Sequence, residues 1–485
     1  MSQVDVLERD VLEALSLTRS IRNAFAPISR IPPEVLSLVG HHCDEDRDLI
    51  ALTHVCRRWR EIFISYPPLW TNLDCRNIDK TLVYLERSKA YPLGISFGGL
   101  RPLLNAFVLT LPHLVRLKSL SIYVTSCDFV AVTKRLGFPA PLLEDLRIVI
   151  DTGEAPTLQD TVFDGDLSSL RKLHLSRVTT TLAWKSMSNL QTFTLQYVPS
   201  DKISVDQLLR FFERAPLLRN IELLEALPDS SDVRSGRVVP LRNLKYLYIS
   251  ANQSHAILLN HLSFPTSVII SQNFTFNNTN SPIPLHLPRT LENLDNISNV
   301  VSVNLSFYLG VDLQLWGPSG GLHLHGNRPG HGPVPTSIGC EVLRSLNAFH
   351  ISEVETLKIS RWPHTIPWWG TIKAPIYQTF VRMGNLRALK LIVCINSPFF
   401  IALNPKEHAS RALVCPKLEE LAVYSGKRDS FCGRELLEMA KERASRGAKL
   451  KVVTVVGPEE LAKEVFKLRA QIEHVEHRWD CILPL

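Results

Sequence analysis

The sequence predicts an α/β chain in which a small helical module near the N-terminus precedes a long, irregular solenoid of strand-helix repeats on a curved parallel sheet, closed by a C-terminal capping helix. Three observations predict it. A spacing of apolar, two variable, apolar, one variable, apolar returns along most of the chain at intervals of roughly twenty to thirty-two residues. Helix-like segments fall between several of these returns. Before Thr71 the apolar residues recur instead at three- and four-residue steps, the period of amphipathic helices.

Length and composition bound the function. The chain has 485 residues, 45% hydrophobic and 21% charged, which is too long for one compact core and calls for two domains or an elongated repeat. The net charge of +7, from 54 basic and 47 acidic residues spread along the sequence, is too dilute to point to nucleic acid. The nine cysteines (Cys43, Cys56, Cys75, Cys127, Cys340, Cys394, Cys415, Cys432 and Cys481) have neither disulfide nor zinc spacing, so a reducing compartment is expected. The first twenty-five residues are charged and amphipathic rather than a signal peptide, and nothing later has the length and apolarity of a membrane span. The expected location is the cytoplasm or nucleus, with no membrane partner.

In the helical module, Leu7, Val11, Leu12 and Leu15 form a stripe expected to pack locally, and Ala26-Pro27 breaks that helix. Pro33 suits a first helical position and Glu34 complements the helix N-terminus, with Val35, Leu36, Leu38 and Val39 as the apolar face. After the acidic break at Asp44 to Asp48, Leu49, Leu52, Val55, Trp59, Ile62 and Phe63 mark an amphipathic helix whose polar side carries Arg57, Arg58 and Arg60. Pro67-Pro68 stops it, and Leu69-Trp70 dock behind. A unit of about forty residues cannot bury all this apolar surface itself, so part must be covered by another domain or another protein.

The repeating triplets are Leu117-Leu120-Ile122, Leu143-Leu146-Ile148, Leu170-Leu173-Leu175, Leu190-Phe193-Leu195, Leu218-Ile221-Leu223 and Leu244-Leu247-Ile249. After an irregular middle come Val300-Val303-Leu305, Val354-Leu357-Ile359, Leu386-Leu389-Leu391, Leu418-Leu421-Val423 and Leu450-Val453-Val455. Each resembles the strand half of a leucine-rich repeat, although the Asn that usually closes that repeat is mostly absent. Helices are expected over Val205 to Arg214, Ile376 to Met383 and Arg434 to Arg446, and over Glu459 to Trp479 as the cap of the last repeat. Strand side chains alternate, so residues flanking the apolar pairs face outward and make a candidate target-binding surface: His174, Thr194, Gln196, Glu222, Tyr246, Tyr248, Lys390 and Tyr424. The proline-broken loop around Trp362, Trp368 and Trp369 either staples onto the repeats or offers Trp368 and Trp369 as a recognition edge.

No catalytic set emerges, and no cofactor or metal is expected. Gly317-Pro318-Ser319-Gly320-Gly321 has the form of a nucleophile elbow, but a strand-like segment follows it, which puts Ser319 in a turn between two strands. His323 and His325 share a strand face and, with His331 nearby, could chelate an ion; no neighbouring carboxylate or cysteine completes the set, so a solvated loop is expected.

Ile31-Pro32, Glu34-Val35-Leu36, Val55-Cys56-Arg57-Arg58-Trp59 and Leu69-Trp70, in that order and spacing, resemble the F-box. With the degenerate repeats behind it, the chain is similar to the F-box proteins of mushroom-forming (basidiomycete) fungi. The resemblance implies that residues 29–74 dock on the Skp adaptor of an SCF (cullin-RING) ubiquitin ligase through Ile31, Pro32, Val35, Leu36, Leu52, Val55, Cys56, Trp59 and Trp70. It also implies a leader at 1–28, target-binding repeats at 75–456, a cap and tail at 457–485, and no enzymatic activity. Gly40 stands where the family usually has an aromatic residue, so the end of that helix is expected to fray. A repeat scaffold without a degradative role is the alternative function, and a serine hydrolase using Ser319 a remote one.

Overall fold

The computed structural model describes residues 3–43, 46–98, 104–184, 187–229, 236–252, 254–276, 286–287, 291–308, 310–328, 334–362, 370–393, 397–408, 413–424, 432–461 and 465–478. The chain divides into two compact units, Met1–Arg177 with Trp184–Met187, and Val178–Ala183 with Ser188–Leu485. The division falls inside the repeats rather than at the end of the helical module.

The first unit opens with four helices, α1 (Gln3–Phe25), α2 (Pro33–His41), α3 (Asp46–Thr53) and α4 (Arg57–Ser65). Strand and helix then alternate through β1 (Asn72–Asp74), α5 (Ile78–Arg87), β2 (Leu93–Gly98), α6 (Leu104–Val108), β3 (Leu117–Val124), α7 (Ser126–Thr133) and β4 (Asp145–Ile150), and β5 (Lys172–Ser176) follows after a 3-10 turn in place of a helix. Consecutive strands pair in parallel, so that Leu73, Ile95, Leu120, Leu146 and Leu173 form one buried row across the ladder. Fully burying such a side chain is worth about 1.5–3 kcal/mol, and a shift of one residue would turn the whole row outward.

In the second unit the same grammar runs through β6 (Thr192–Gln196), α8 (Val205–Arg214), β7 (Asn220–Leu224), β8 (Tyr246–Ser250), α9 (Ala256–Leu259) and β9 (Ile269–Thr275). After β10 (Ser302–Ser306), β11 (Gly310–Trp316) and β12 (Gly321–Asn327), it resumes with α10 (Thr336–Ser345), β13 (Thr356–Ser360), α11 (Gly370–Arg382) and β14 (Ala388–Ile392). It ends with α12 (Ser397–Leu403), β15 (Glu420–Tyr424), α13 (Gly433–Ser445), β16 (Val452–Val456) and β17 (His474–Arg478). The second and third apolar positions of all eleven triplets lie on strands. Helix α8 begins in a capping box: Ser204 accepts from the Gln207 backbone while the Gln207 side chain returns to the Ser204 N–H. Its buried Phe211 ring lies 4.5 Å from that of Phe193 on β6, fastening helix to sheet.

The irregular middle is an antiparallel insertion. Strand β12, not β10, takes the place beside β9, in parallel register; β11 runs antiparallel to both β12 and β10; and β10 pairs in parallel with β13. Another repeated device has no signature in the triplets. Tyr197, Glu225 and Arg361 each follow a strand directly with φ near +50° and donate a backbone hydrogen bond to the last residue of the next strand, at 2.6–2.7 Å. The left-handed residue thus adds one rung to the ladder beyond the end of each strand.

Two expectations are corrected. Glu459 to Trp479 is not one capping helix: Glu459–Leu461 and Lys467–Ala470 are short 3-10 turns, and β17 adds in parallel to β16. The apolar residues read as the face of that helix are all buried, but from different elements: Leu461 and Leu468 in the two 3-10 turns, Val465 at a helical position between them, Ile472 in the connection that follows and Val475 on β17. The stripe of α1 does not pack locally either, since Leu7, Val11, Leu12 and Leu15 are all exposed and no residue of α1 is buried. Among the described residues, no helix is long and apolar enough to cross a membrane.

Candidate functional site

The helical module is built around α4. Trp59 and Phe63 meet edge to face at 5.6 Å between centroids, and Leu36 of α2, Leu49 of α3, Leu69 and Trp70 complete the buried set. The Trp70 indole N–H donates to the Phe63 carbonyl at 2.8 Å, its ring meets Tyr84 of α5 edge-on, and the Arg87 guanidinium lies 4.3 Å above it. Arg58 reaches back to the segment before α2, donating from Nη2 to the Ile31 carbonyl at 2.6 Å and from Nη1 to that of Ser29. Arg60 donates to the Thr53 carbonyl at the end of α3, at 3.0 Å. Gly40 is the penultimate residue of α2, which ends at His41. A Cβ on Gly40 would lie 2.8 Å from Cε1 of Phe63 and 3.0 Å from Cδ1 of Leu69, so the side chains of α4 and the segment after it fill the space a larger residue would need.

Outward, the module leaves apolar surface uncovered. Val35, Leu38, Val39, Ile50 and Val55 are between 42 and 56% exposed, and Pro32 is exposed beside them. A family model described as F-box-like matches residues 28–76. Residues 28–76 form an F-box-like domain. F-box domains generally bind the Skp adaptor of SCF ligases, and the proteins that carry them are generally adaptors rather than enzymes. A comparison with curated proteins finds no match.

Within the F-box-like domain the nine residues assigned to docking separate into three groups. Pro32, Val35 and Val55 are exposed; Ile31, Leu52 and Cys56 are half-buried; Leu36, Trp59 and Trp70 belong to the core. The last three therefore shape the surface from beneath. Leu38, Val39 and Ile50 are exposed as well but were not among the nine, because those were carried over from the positions of the F-box motif, whereas exposure is visible only in the folded chain.

The strand residues assigned to target binding fall on the face opposite the apolar triplets. Register aligns Thr194, Glu222, Tyr248, Ser271, His323, Gln314, Asn304, Lys358 and Lys390 in a single row across the second unit. Gln196, Asn273, His325, Asp312 and Tyr424 share a parallel row, and Tyr246 lies in a third. Lys390 Nζ sits 5.0 Å from the Tyr424 ring centre. Thr194 is a correction, being only 5% exposed: a short side chain in a row with the longer Glu222 presents no contact surface. His174 lies in the first unit, where burial and then the charge of Arg147 push its pKa down to about 4 and leave a neutral ring whose buried Nε2 has no hydrogen-bond partner. Trp368 and Trp369 lie outside the described residues. Trp362 is buried edge-on against Phe307 and Phe399, an internal staple.

Ser319 sits in the turn joining β11 to β12, where its hydroxyl donates to the Thr266 carbonyl at 3.2 Å rather than to an imidazole. The strand-to-helix turn of a nucleophile elbow is not formed there. The histidine pair differs from expectation, because a carboxylate does complete it. Asp312 on β11 stands directly opposite His325, and its Oδ2 lies 2.9 Å from His323 Nε2 and 3.2 Å from His325 Nδ1. Burial opposes ionisation of Asp312, but the hydrogen bonds and charges of the two imidazoles outweigh it and hold the carboxyl well below its usual range. The same bond raises the pKa of His325 against partial burial.

Proposed function

We propose that this chain is a substrate-recognition adaptor of an SCF-type ubiquitin ligase, with the F-box-like domain docking on the Skp adaptor and the repeats, read as degenerate leucine-rich repeats in a solenoid, presenting a target protein. The observation that carries the reading is the exposure of six apolar residues, Pro32, Val35, Leu38, Val39, Ile50 and Val55, on that small helical domain, since uncovered apolar surface there calls for a partner. The adaptor would do no chemistry; it would raise the effective concentration of a target near the ubiquitin-charged enzyme on the cullin scaffold. Such an assembly works in the cytoplasm or nucleus. The mixed polar and tyrosine rows around Glu222, Tyr246, Tyr248, Lys390 and Tyr424 suit a protein target, tyrosine giving large contact area at small entropic cost.

The test is co-purification of the Skp adaptor with the full chain. Val35→Glu with Val55→Glu places charges on that exposed surface and leaves the core set untouched, so adaptor recovery should fall at least about tenfold while the circular dichroism spectrum stays unchanged. Undiminished recovery would overturn the docking assignment. Trp59→Ala is the contrasting variant and should lose recovery by unfolding the domain, with a lowered melting temperature. Proteomics after depletion separates a degradative adaptor, which leaves specific proteins accumulating, from a scaffold.

A further inference from the structure

We propose that Asp312, His323 and His325 form a binding site for one divalent transition-metal ion, Zn2+ being the representative case, with an open coordination position facing out from the polar side of the sheet. The three ligand atoms lie within 4.8 Å of one another. Ions of this class sit about 2.0–2.2 Å from imidazole nitrogen and carboxylate oxygen, so tetrahedral ligand atoms stand about 3.4 Å apart. The Asp312 separations of 2.9 and 3.2 Å are within a few tenths of an ångström of that spacing, and small side-chain rotations admit an ion.

The site is built on rigid elements and supported from behind. His323 and His325 alternate on one face of β12, and antiparallel pairing sets Asp312 opposite. The second oxygen of Asp312 accepts from Gln314 Nε2 at 3.0 Å, and Gln314 in turn accepts from Asn304 at 3.4 Å. His325 directs Nε2 at the Asn327 side-chain oxygen, 3.0 Å away, while Asn327 donates to Asn273 at 2.8 Å. That outer bond fixes the imidazole with Nδ1 toward the centre, the arrangement by which metal-ligating histidines are usually oriented. The three side chains are between 27 and 43% exposed, leaving a path for entry. Two imidazoles and one carboxylate select ions of the zinc, nickel and copper class over calcium or magnesium, which prefer oxygen donors throughout. Three protein ligands leave a place for water or for a donor atom from a partner lying on the same row as Tyr248 and Glu222.

The experiment is titration of the EDTA-treated full chain with ZnCl2 by calorimetry at pH 7.5, with CoCl2 as a spectroscopic probe. One equivalent should bind, with affinity reduced at least about tenfold in Asp312→Asn and in the His323→Gln/His325→Gln double variant. Should the double variant lose its native circular dichroism spectrum, the near-isosteric Asp312→Asn decides. Co2+ should give visible d–d bands without the thiolate charge-transfer absorption of a cysteine site. Three results would each overturn the site: no stoichiometric Zn2+ uptake, which leaves Asp312 as the centre of an ion-pair cluster only; uptake that survives the substitutions; or thiolate bands. None of these depends on recovery of the Skp adaptor.

Discussion

Gly40, next to the last residue of α2, is buried against the Phe63 and Leu69 side chains. Gly40→Ala should therefore destabilise the F-box-like domain by about 1–3 kcal/mol through overpacking, despite the better helix propensity of alanine. A melting temperature equal to or above that of the parent would show that the Phe63 ring yields freely. The residue could be singled out in the sequence, but its consequence could not, because the aromatic that fills the gap lies twenty-three positions further on. Arg58 teaches the same point. Periodicity places it on the polar side of α4, whereas only the folded chain shows its guanidinium holding the carbonyls of Ser29 and Ile31, and with them the segment that presents Pro32.

Elements were more legible than contacts. The strands could be read because each buries one face, which forces the apolar spacing of Leu120 and Ile122 or of Leu421 and Val423. Helix α8 was legible over its whole span, Val205 to Arg214, while the capping box that starts it shows only in the folded chain; Ser204→Ala should cost about 1 kcal/mol, readable as a lower urea midpoint at unchanged m-value. An unaltered midpoint would mean that packing of Phe211 and Phe212 alone sets the helix start. The C-terminal segment misled because three- and four-residue steps between buried residues also suit short turns leading into a strand. Asp312 escaped notice for a topological reason: it precedes the histidines by 11 and 13 positions, and only the β11–β12 register brings it opposite them.

At the scale of the molecule, an imidazole pair in the second unit ties stability to pH. His255 is buried, bonded to Gln272 at 2.9 Å and to the Ala251 carbonyl at 3.1 Å, and its ring centre lies 4.4 Å from that of His286. Burial pushes their pKa values down to about 4 and about 3. The unfolded chain, with ordinary values near 6.5, takes up protons first as pH falls, so the stabilisation is complete above about 6.5 and is lost on acidification toward 4. The urea midpoint should drop between pH 7.5 and 5.0 by the equivalent of about 1–2 kcal/mol per histidine. A His255 imidazole that titrates near 6.5 by NMR in the folded protein would sink that account. The antiparallel insertion has its own arithmetic. Strands β9, β10, β12 and β13 all point one way and β11 alone points the other. Two strands beyond the regular count have been spliced in, and an even number is what lets everything downstream keep its heading; one extra would have inverted each later strand and carried its connecting helix to the wrong end.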